Sequence, residues 1–510
     1  MAESSRNPTL RAVGPDGAIH TVVVSDLHLT EAELPDPSRP LWKRYKHRDL
    51  FIDESFERML AHICEETEGP VELVFNGDTF DFDIVSAVPN NLPVNLAEQL
   101  RGLNSEEEKS RYKIWRILDH HPVWVEAIRH FVSAGNEVVF VVGNHDVELH
   151  WPGVQAEILD ALDLPPSREG AVRFCEWFYV SQGDTLIEHG NQYDGYCVVP
   201  DPMHPFVRIG GRLQVRIPFG DVAGRFMLNG MGLFNPYAEE AWNRSFVDYV
   251  RFFFQYLLPM QPLAIFAYLW SAVATLVVSL RYGFLPAERD PLTLAERVDD
   301  VALRSRVRPS QVFALHALRV HPAIFNPWKI ARELWLDRVL LLGLLCLSSW
   351  QIVSFVSVFV VISPLWTLVP FAVLLPFFVF YASSVRSDIV AAEHNLRDRA
   401  PIAARIVGVG RVIVGHTHRR WHERSPGVEL INTGTWSPGF RDIECKERLT
   451  EPCLAWIRPD GDTRSVTLYT WRDPGLEEVE PTSGPGRRRW RFLRRRRRAL
   501  GVRRARVLSR

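Results

Sequence analysis

Five short polar clusters carry the groups in this chain that could do chemistry, and each follows an apolar, β-like run. They are Asp26-Leu27-His28, Gly77-Asp78-Thr79-Phe80-Asp81, Gly143-Asn144-His145-Asp146, His189-Gly190 and Gly415-His416-Thr417-His418. Carboxylate, amide and imidazole are the donors that divalent cations of hard or borderline character take. Two such cations about 3.5–4 Å apart, bridged by one carboxylate, form the clamp that hydrolytic displacement at phosphorus uses. Any one cluster could be a set of satisfied polar residues at a turn; the five together supply a full donor set.

The elements that must deliver these groups are legible as short strands. Thr21-Val22-Val23-Val24, Val71 to Phe75, Glu137 to Val142 and Arg411 to Val414 are rich in β-branched residues, and the clusters follow at once. A residue just past a strand end is free to point into a cleft. Gly77, Gly143 and Gly415 precede candidate donors, where a missing side chain lets the backbone turn and approach closely. Helical patterns over Leu50 to Glu66 and Pro122 to Ala134 alternate with the early strands in a βαβαβ rhythm, which predicts a parallel sheet. Val428 to Asn432, Cys453 to Arg458 and Ser465 to Trp471 are expected to form a second sheet.

In order and content the clusters resemble the calcineurin-like metallophosphoesterase family, whose pattern reads DxH, GDxxD, GNH(D/E), H and GHxH. The resemblance covers about residues 19–200 and 405–440. It implies an α/β fold, a β-sandwich of two mixed sheets flanked by helices. It further implies two divalent cations, manganese first with iron, zinc or magnesium as alternatives. Asp26, His28 and His418 would hold one, Asn144, His189 and His416 the other, and Asp78 would bridge them. A hydroxide shared by the pair would attack phosphorus. His145 would protonate the leaving group and Asp81 would orient its ring. Asp146 is expected to support its loop without taking part in the chemistry.

Candidate substrate contacts are Asn191, Gln192, Tyr193 and Asp194 after the fourth cluster, and Arg419 after the fifth; Arg420 is adjacent, and at least one of these arginines is expected to be simply solvated. His120, His121, His150, His204 and His422 have no family counterpart and are expected to be surface or capping histidines.

The 510 residues exceed what one core normally supports, and two stretches, 252–280 and 339–385, carry no charge. The second is long enough for two spans of about 20 residues each, with Ser363-Pro364 at the turn. Buried helices of soluble enzymes can also be apolar all round, but 339–385 has no polar face, and Trp350, Trp366 and Tyr381 fall at plausible interfacial positions. His416 and His418 follow both stretches while the other donors precede them, so the chain must return to its starting side. We expect a hairpin over 339–385 and a re-entrant or interfacial helix over 252–280. Arginines and lysines between and after the stretches put the catalytic domain on the cytoplasmic side of a membrane. The segment between them, about 281–338, reads as amphipathic helices that would pack on the catalytic domain as a lid or lie on the membrane.

The expected divisions are 1–18 as a tail, 19–251 and 386–475 as two parts of the catalytic domain, 252–385 as the helical insertion, and 476–510 as a linker and Arg-rich tail. Thirteen of the 59 basic residues lie between Arg487 and Arg510, so the remaining 46 face 61 acidic ones and the near-neutral total hides an acidic body. Such a tail suits anionic headgroups, which we favour over nucleic acid. Six cysteines without CxxC spacing suit a reducing compartment, and Met1 to Asp16 lacks the apolar core of a signal peptide. The expected substrate carries a phosphoester or pyrophosphate, lipid-linked if membrane attachment serves catalysis. A soluble nucleotide or phosphoprotein, or a catalytically silent metal-stabilised scaffold, are the alternatives. Ser25 to Leu29 and Gly415 to Arg419 are similar to those of UDP-2,3-diacylglucosamine pyrophosphohydrolases, although that subgroup commonly has arginine where His145 stands.

Overall fold

The computed structural model describes residues 19–232, 235–237, 251–261, 263–384, 391–425 and 427–483. In chain order the strands are β1 (His20–Val24), β2 (Val71–Asn76), β3 (Glu137–Val141), β4 (Val172–Cys175), β5 (Phe178–Ser181), β6 (Thr185–Glu188), β7 (Phe206–Ile209) and β8 (Arg212–Val215). After a long helical excursion come β9 (Arg411–Val414), β10 (Trp421–Ser425), β11 (Val428–Asn432), β12 (Cys453–Asp460), β13 (Thr463–Arg472), β14 (Gly475–Glu478) and β15 (Thr482–Ser483). They build a seven-stranded sheet, β14-β13-β12-β1-β2-β3-β4, a six-stranded sheet, β15-β10-β11-β9-β6-β5, and a β7-β8 hairpin. Both large sheets are mixed. β1 to β4 run parallel, and β12 pairs antiparallel with β1, Thr21 opposite Ile457.

β1 explains why its sequence is an unbroken apolar run. Val22 and Val24 enter the cluster beneath the outer helices, while Val23 joins the core between the sheets, beside Ile187, Ile413 and Ile431 of the other sheet. A strand buried on both faces has no polar side to alternate. Helices α1 (Asp53–Glu65), α2 (Glu107–His120), α3 (Pro122–Ser133) and α4 (Pro152–Leu162) cover the outer face of the first sheet through Phe56, Ile114, Trp124 and Ile158. A short helix, α5 (Phe219–Ala223), then leads toward the apolar helix α6 (Ala264–Phe284).

Helices α7 (Leu294–Arg304) and α8 (Pro309–Leu318) follow α6. They pack on the sandwich, the first of the two expected arrangements: Val298, Val301, Val312 and Leu315 pack with Val412, Val414 and Leu430 on the outer face of the second sheet. Their apolar stripes were legible, but the surface that would bury them was not. A Thr293/Glu296 capping box starts α7.

Beyond α7 and α8 lie the hairpin helices α9 (Leu336–Ser357) and α10 (Leu368–Ser384), then α11 (Ala391–Val407), which returns to the second sheet through Leu396, Ala400 and Ala403. Among the described residues three helical segments, Ile265–Phe284, Leu336–Ser357 and Pro364–Ser384, are long and apolar enough to cross a membrane. They differ in how they sit on the body: 28% of the first is buried, against 17% and 6% of the others, so only α6 lies substantially against the rest of the protein. Its Ser271, Thr275 and Ser279, four residues apart, face inward, while Ile265, Phe266 and Val273 are exposed. In the hairpin Phe355, Phe377 and Phe380 are all exposed, and the Tyr381 hydroxyl donates to Asp337 across its base at 2.7 Å.

Two expectations are corrected. Residues 453–458 and 465–471 belong to the first sheet, not the second, because β12 extends it beyond β1. Alternating apolar residues specify a half-buried strand without specifying which edge it joins. The linker expected to begin near Glu477 is instead partly strand: β14 pairs with β13 and β15 with β10. Residues 1–18 and the Arg-rich stretch within 484–510 lie outside the described residues.

Candidate metal centre

The five clusters meet at one end of the sandwich, and the backbone is distorted to bring them there. Asp26, His28, Asp78, His416 and His418 all have left-handed φ between 50° and 69°. Such conformations cost non-glycine residues about 1–3 kcal/mol each and persist where surrounding structure imposes them. Here the imposing contacts are inter-cluster hydrogen bonds. Asp26 N donates to Gly77 O (3.1 Å), His28 N to Asp78 O (2.9 Å), His416 N to Asp26 Oδ2 (3.1 Å) and His145 N to Asp78 Oδ1 (2.8 Å). Asp146 is the clasp of the third cluster, its carboxylate accepting from Gly143 N at 2.6 Å and Thr79 N at 2.8 Å. Burial and the Asp78 charge push its carboxyl up to about 7.

Close approach explains two of the glycines. A Cβ on Gly77, which has φ +78°, would lie 2.4 Å from the His189 ring; one on Gly143 would lie 2.3 Å from Asp78 Oδ1. Either would displace a candidate donor.

Two donor groups result. In the first, Asp26 Oδ1, His28 Nε2 and His418 Nε2 converge, with His28 Nε2 3.1 Å from His418 Nε2 and Asp26 Oδ1 3.2 Å from His418 Nε2. Two imidazole nitrogens about 2.0–2.1 Å from a shared cation lie roughly 3.0–3.4 Å apart, so this spacing fits a metal between them. In the second, Asp78, His189 and His416 converge. Asp78 Oδ2 lies 3.0 Å from His189 Nε2 and 4.0 Å from His28 Nε2, between the two groups, as a bridging carboxylate requires.

Buried atoms left without hydrogen-bond partners among the described residues test the same fit. Asp26 Oδ1, Asn144 Oδ1 and His189 Nε2 are among them. Orphaned groups of this kind are costly unless a bound group satisfies them. The other atoms of these side chains are anchored: His189 Nδ1 faces Asn76 O at 2.8 Å, and Asn144 Nδ2 donates to Asp221 at 3.1 Å. His416 Nε2 lies 3.2 Å from Asp194 Oδ2, the carboxylate contact that orients a ligating imidazole. Asp194, read in the sequence as a substrate contact, is therefore committed to His416.

His145 stands at the rim, its side chain about a quarter exposed, with Nδ1 3.4 Å from Asp81 Oδ1 and 3.3 Å from Asp221 Oδ1. Burial favours the neutral ring, but Asp81, Asp221 and Asp78 outweigh it and raise its pKa well above the usual histidine value. Burial also acts against the charge of Asp81, yet His145 and His28 hold that carboxyl well below the usual range. Tyr237 donates to Asp81 Oδ2 at 3.2 Å.

The remaining candidates are placed less favourably for a substrate. Tyr193 is 1% exposed and its hydroxyl donates to Glu188 at 2.9 Å; Asn191 is buried, donating to Cys197 O at 3.2 Å. Gln192 donates to Glu188 at 2.8 Å. All three side chains are buried and hydrogen-bonded within the fold. Arg419 is half exposed and pairs with Glu393 at 3.2 Å, whereas Arg420 pairs with Glu451 at 2.5 Å.

The extra histidines are more deeply placed than surface residues. His121 is buried between Asp53 Oδ1 (2.7 Å) and Thr30 O (2.8 Å), and His422 is buried against Glu429 (2.8 Å). His120 accepts from Ala32 N at 2.7 Å, and His150 contacts Val147 O and Pro202 O at 2.8 and 2.9 Å. His204 lies 3.6 Å from Asp290. Asp221 and Tyr237, in no motif, were missed by sequence reasoning.

A two-sheet sandwich with paired Asp/His donor groups at its strand ends has the architecture of a metal-dependent hydrolase. Residues 19–210 match the family model of the calcineurin-like phosphoesterases. Comparison with curated proteins found no match. Similar solved structures include Vps29 of Entamoeba histolytica complexed with zinc, at 19% identity and a TM-score of 0.14, over 16% of this chain and 44% of that one. A double mutant of the same protein matches at 20% identity and a TM-score of 0.14, over 17% of this chain and 47% of that one. This chain thus spans less than half the length of those relatives.

Proposed function

We propose that this chain is a membrane-associated dinuclear-metal phosphoesterase that hydrolyses a phosphoester or pyrophosphate bond, with a lipid-linked substrate. The observation carrying this reading is the convergence of Asp26, His28 and His418 beside Asp78, His189 and His416, from segments nearly four hundred residues apart. Asp26, His28 and His418 would hold one cation and Asn144, His189 and His416 the other, with Asp78 between. When bound, such a pair supplies an activated water near neutral pH and a clamp for phosphoryl oxygens.

The chain's own residues supply the rest. With Nδ1 turned to Asp81 and Asp221, His145 is left with Nε2 for the leaving group. As the phosphorus–oxygen bond breaks, its electron pair stays on the departing oxygen, which takes the Nε2 proton. Arg419 remains the candidate cation for a non-bridging phosphate oxygen. Manganese suits the mixed carboxylate, amide and imidazole set, with iron, zinc or magnesium as alternatives.

Support for the membrane arrangement comes from packing. α5 before α6, and α7 and α8 after it, all pack with the catalytic body, so a single crossing by α6 would strand one of them. α11 likewise follows the hairpin back to the second sheet, which requires the hairpin to cross an even number of times. We therefore read α6 as interfacial and α9–α10 as a two-crossing hairpin, with catalysis on the cytoplasmic face. A reporter placed after residue 310 should read on the same side as the catalytic domain; opposite readings would sink this topology. The activity test is hydrolysis of bis(4-nitrophenyl) phosphate by detergent-purified protein with Mn²⁺, abolished in Asp78→Ala and sharply reduced in His145→Ala. Wild-type protein holding two metal equivalents but turning over no phosphate or pyrophosphate ester would favour a silent scaffold. A screen of phospholipids, sugar-nucleotide lipids and free nucleotides then separates lipid-linked from soluble substrates.

A further inference from the structure

We propose that Asp221 is a second positioning residue for the general acid His145, and that it ties the alignment of that acid to the apolar helix α6. The inference rests on the role given to His145 above. Asp221 is fully buried, and its Oδ1 does two things: it lies 3.3 Å from His145 Nδ1 and accepts from Asn144 Nδ2 at 3.1 Å. His145 Nδ1 thus lies between two carboxyl groups, since Asp81 Oδ1 is 3.4 Å from the same nitrogen. Asp81 belongs to the cluster that follows β2; Asp221 arrives from elsewhere in the fold.

The route by which Asp221 arrives gives the second half of the proposal. It lies on α5, and its neighbours fix that helix against α6: Phe219 shares a cluster with Ala272, and Val222 shares one with Tyr282. On its other side Gly220 leaves no room, because a Cβ there would lie 2.9 Å from Cys197 Sγ. The short helix is wedged between the metal-site loop and the apolar helix, and its one carboxylate faces the acid. Seating α6 therefore sets where the carboxylate points. A ring flanked on two sides has less room to turn Nε2 away, which matters because an ångström of misplacement can cost about a hundredfold in rate.

The step assisted is proton delivery: the P–O bond to the leaving group breaks, its electrons remain on the leaving oxygen, and that oxygen takes the His145 Nε2 proton. Demand for the proton grows as the leaving group becomes poorer, which gives a readout that a structural role would not move. Turnover of ethyl 4-nitrophenyl phosphate and ethyl phenyl phosphate would be compared in full-length wild type, Asp221→Asn, Asp221→Ala and His145→Ala, with bound metal and melting temperature measured on each. Asp221→Asn keeps an acceptor for Asn144 and replaces the carboxyl group beside His145 Nδ1 with an amide. The expected result is a loss on the phenyl ester at least about tenfold larger than on the nitrophenyl ester, a part of the 10²–10⁴ that acid catalysis supplies. Metal content should stay within a few per cent of wild type, and His145→Ala should show the same discrimination more strongly. Equal losses on both esters, or losses that track missing metal, in both Asp221 variants would overturn the proposal while leaving His145 in place. If His145→Ala itself fails to discriminate, the acid assignment and this inference fall together.

Discussion

Gly143→Ala puts the bridging role of Asp78 to a direct geometric test. The added methyl would sit 2.3 Å from Asp78 Oδ1, 2.6 Å from Asp78 N and 3.0 Å from Asp78 Cγ. Carbon–oxygen contacts settle at roughly 3.4 Å or more, so the carboxylate must retreat by about 1 Å, and the backbone nitrogen beside it blocks an easy rotation. That retreat breaks the 2.8 Å bond from His145 N and moves Oδ2 out of the space between His28 and His189. A displacement of this size at a reacting centre costs on the order of a hundredfold in turnover. Overpacking alone costs about 1–3 kcal/mol of stability, so the fold should survive. The assay pairs metal content by elemental analysis with bis(4-nitrophenyl) phosphate hydrolysis and a melting curve. The expected outcome is a folded protein short of at least one metal equivalent and at least about a hundredfold slower. A variant that kept two equivalents and turned over within threefold of wild type would show that Asp78 does not lie between the ions.

Glu31 and Lys46 form a buried pair, Nζ to Oε1 at 3.0 Å, and Ser86 N adds a bond at 2.7 Å. Burial alone would raise the Glu31 carboxyl, but Lys46 and Ser86 bring it from 4.5 down to about 2. This carboxyl stays charged in the fold below the pH at which the unfolded chain protonates it, so its stabilisation is complete above pH 4.5 and drains away as pH falls toward 2. The amount at stake is about 3 kcal/mol; Glu31→Gln should be less stable at neutral pH and show a shallower loss of melting temperature between pH 5 and 3, and parallel curves would refute this. Asp194→Asn should weaken metal affinity about 10–100-fold by releasing His416, measured by titration of the apoprotein; an unchanged affinity would remove Asp194 from the site. Phe377→Arg, on an exposed face of the hairpin, should cost insertion about 2.5–3.5 kcal/mol and shift protein out of the carbonate-resistant membrane fraction; an unaltered distribution would argue against a spanning hairpin.

The donor clusters could be found in the sequence because each is a local device, a β-branched run followed at once by a polar turn. Val71 to Asn76 and then Asp78 show the device whole, and no distant residue is needed to recognise it. Asp221, Tyr237 and the role of Asp194 were out of reach for the opposite reason. Each acquires meaning only when packing sets it beside a residue far away in the chain, Asp221 beside His145 and Asp194 beside His416. The sheet assignment of β12 failed in the same way, since Ile457 lies opposite Thr21 across more than four hundred residues. His121 reads as a surface or capping residue because its partner Asp53 is sixty-eight positions away. Apolar periodicity in α7 and α8 announced that something would cover them, and only tertiary contact named the second sheet.

The connectivity of the donor groups has a consequence for biosynthesis. Asp26, His28, Asp78, Asn144 and His189 leave the ribosome before either hairpin helix has been made, whereas His416 and His418 follow both. Strands β9 to β15, which complete each sheet, are equally late. A nascent chain therefore holds an unfinished set of candidate donors, and the set is complete only after the apolar excursion has been translated.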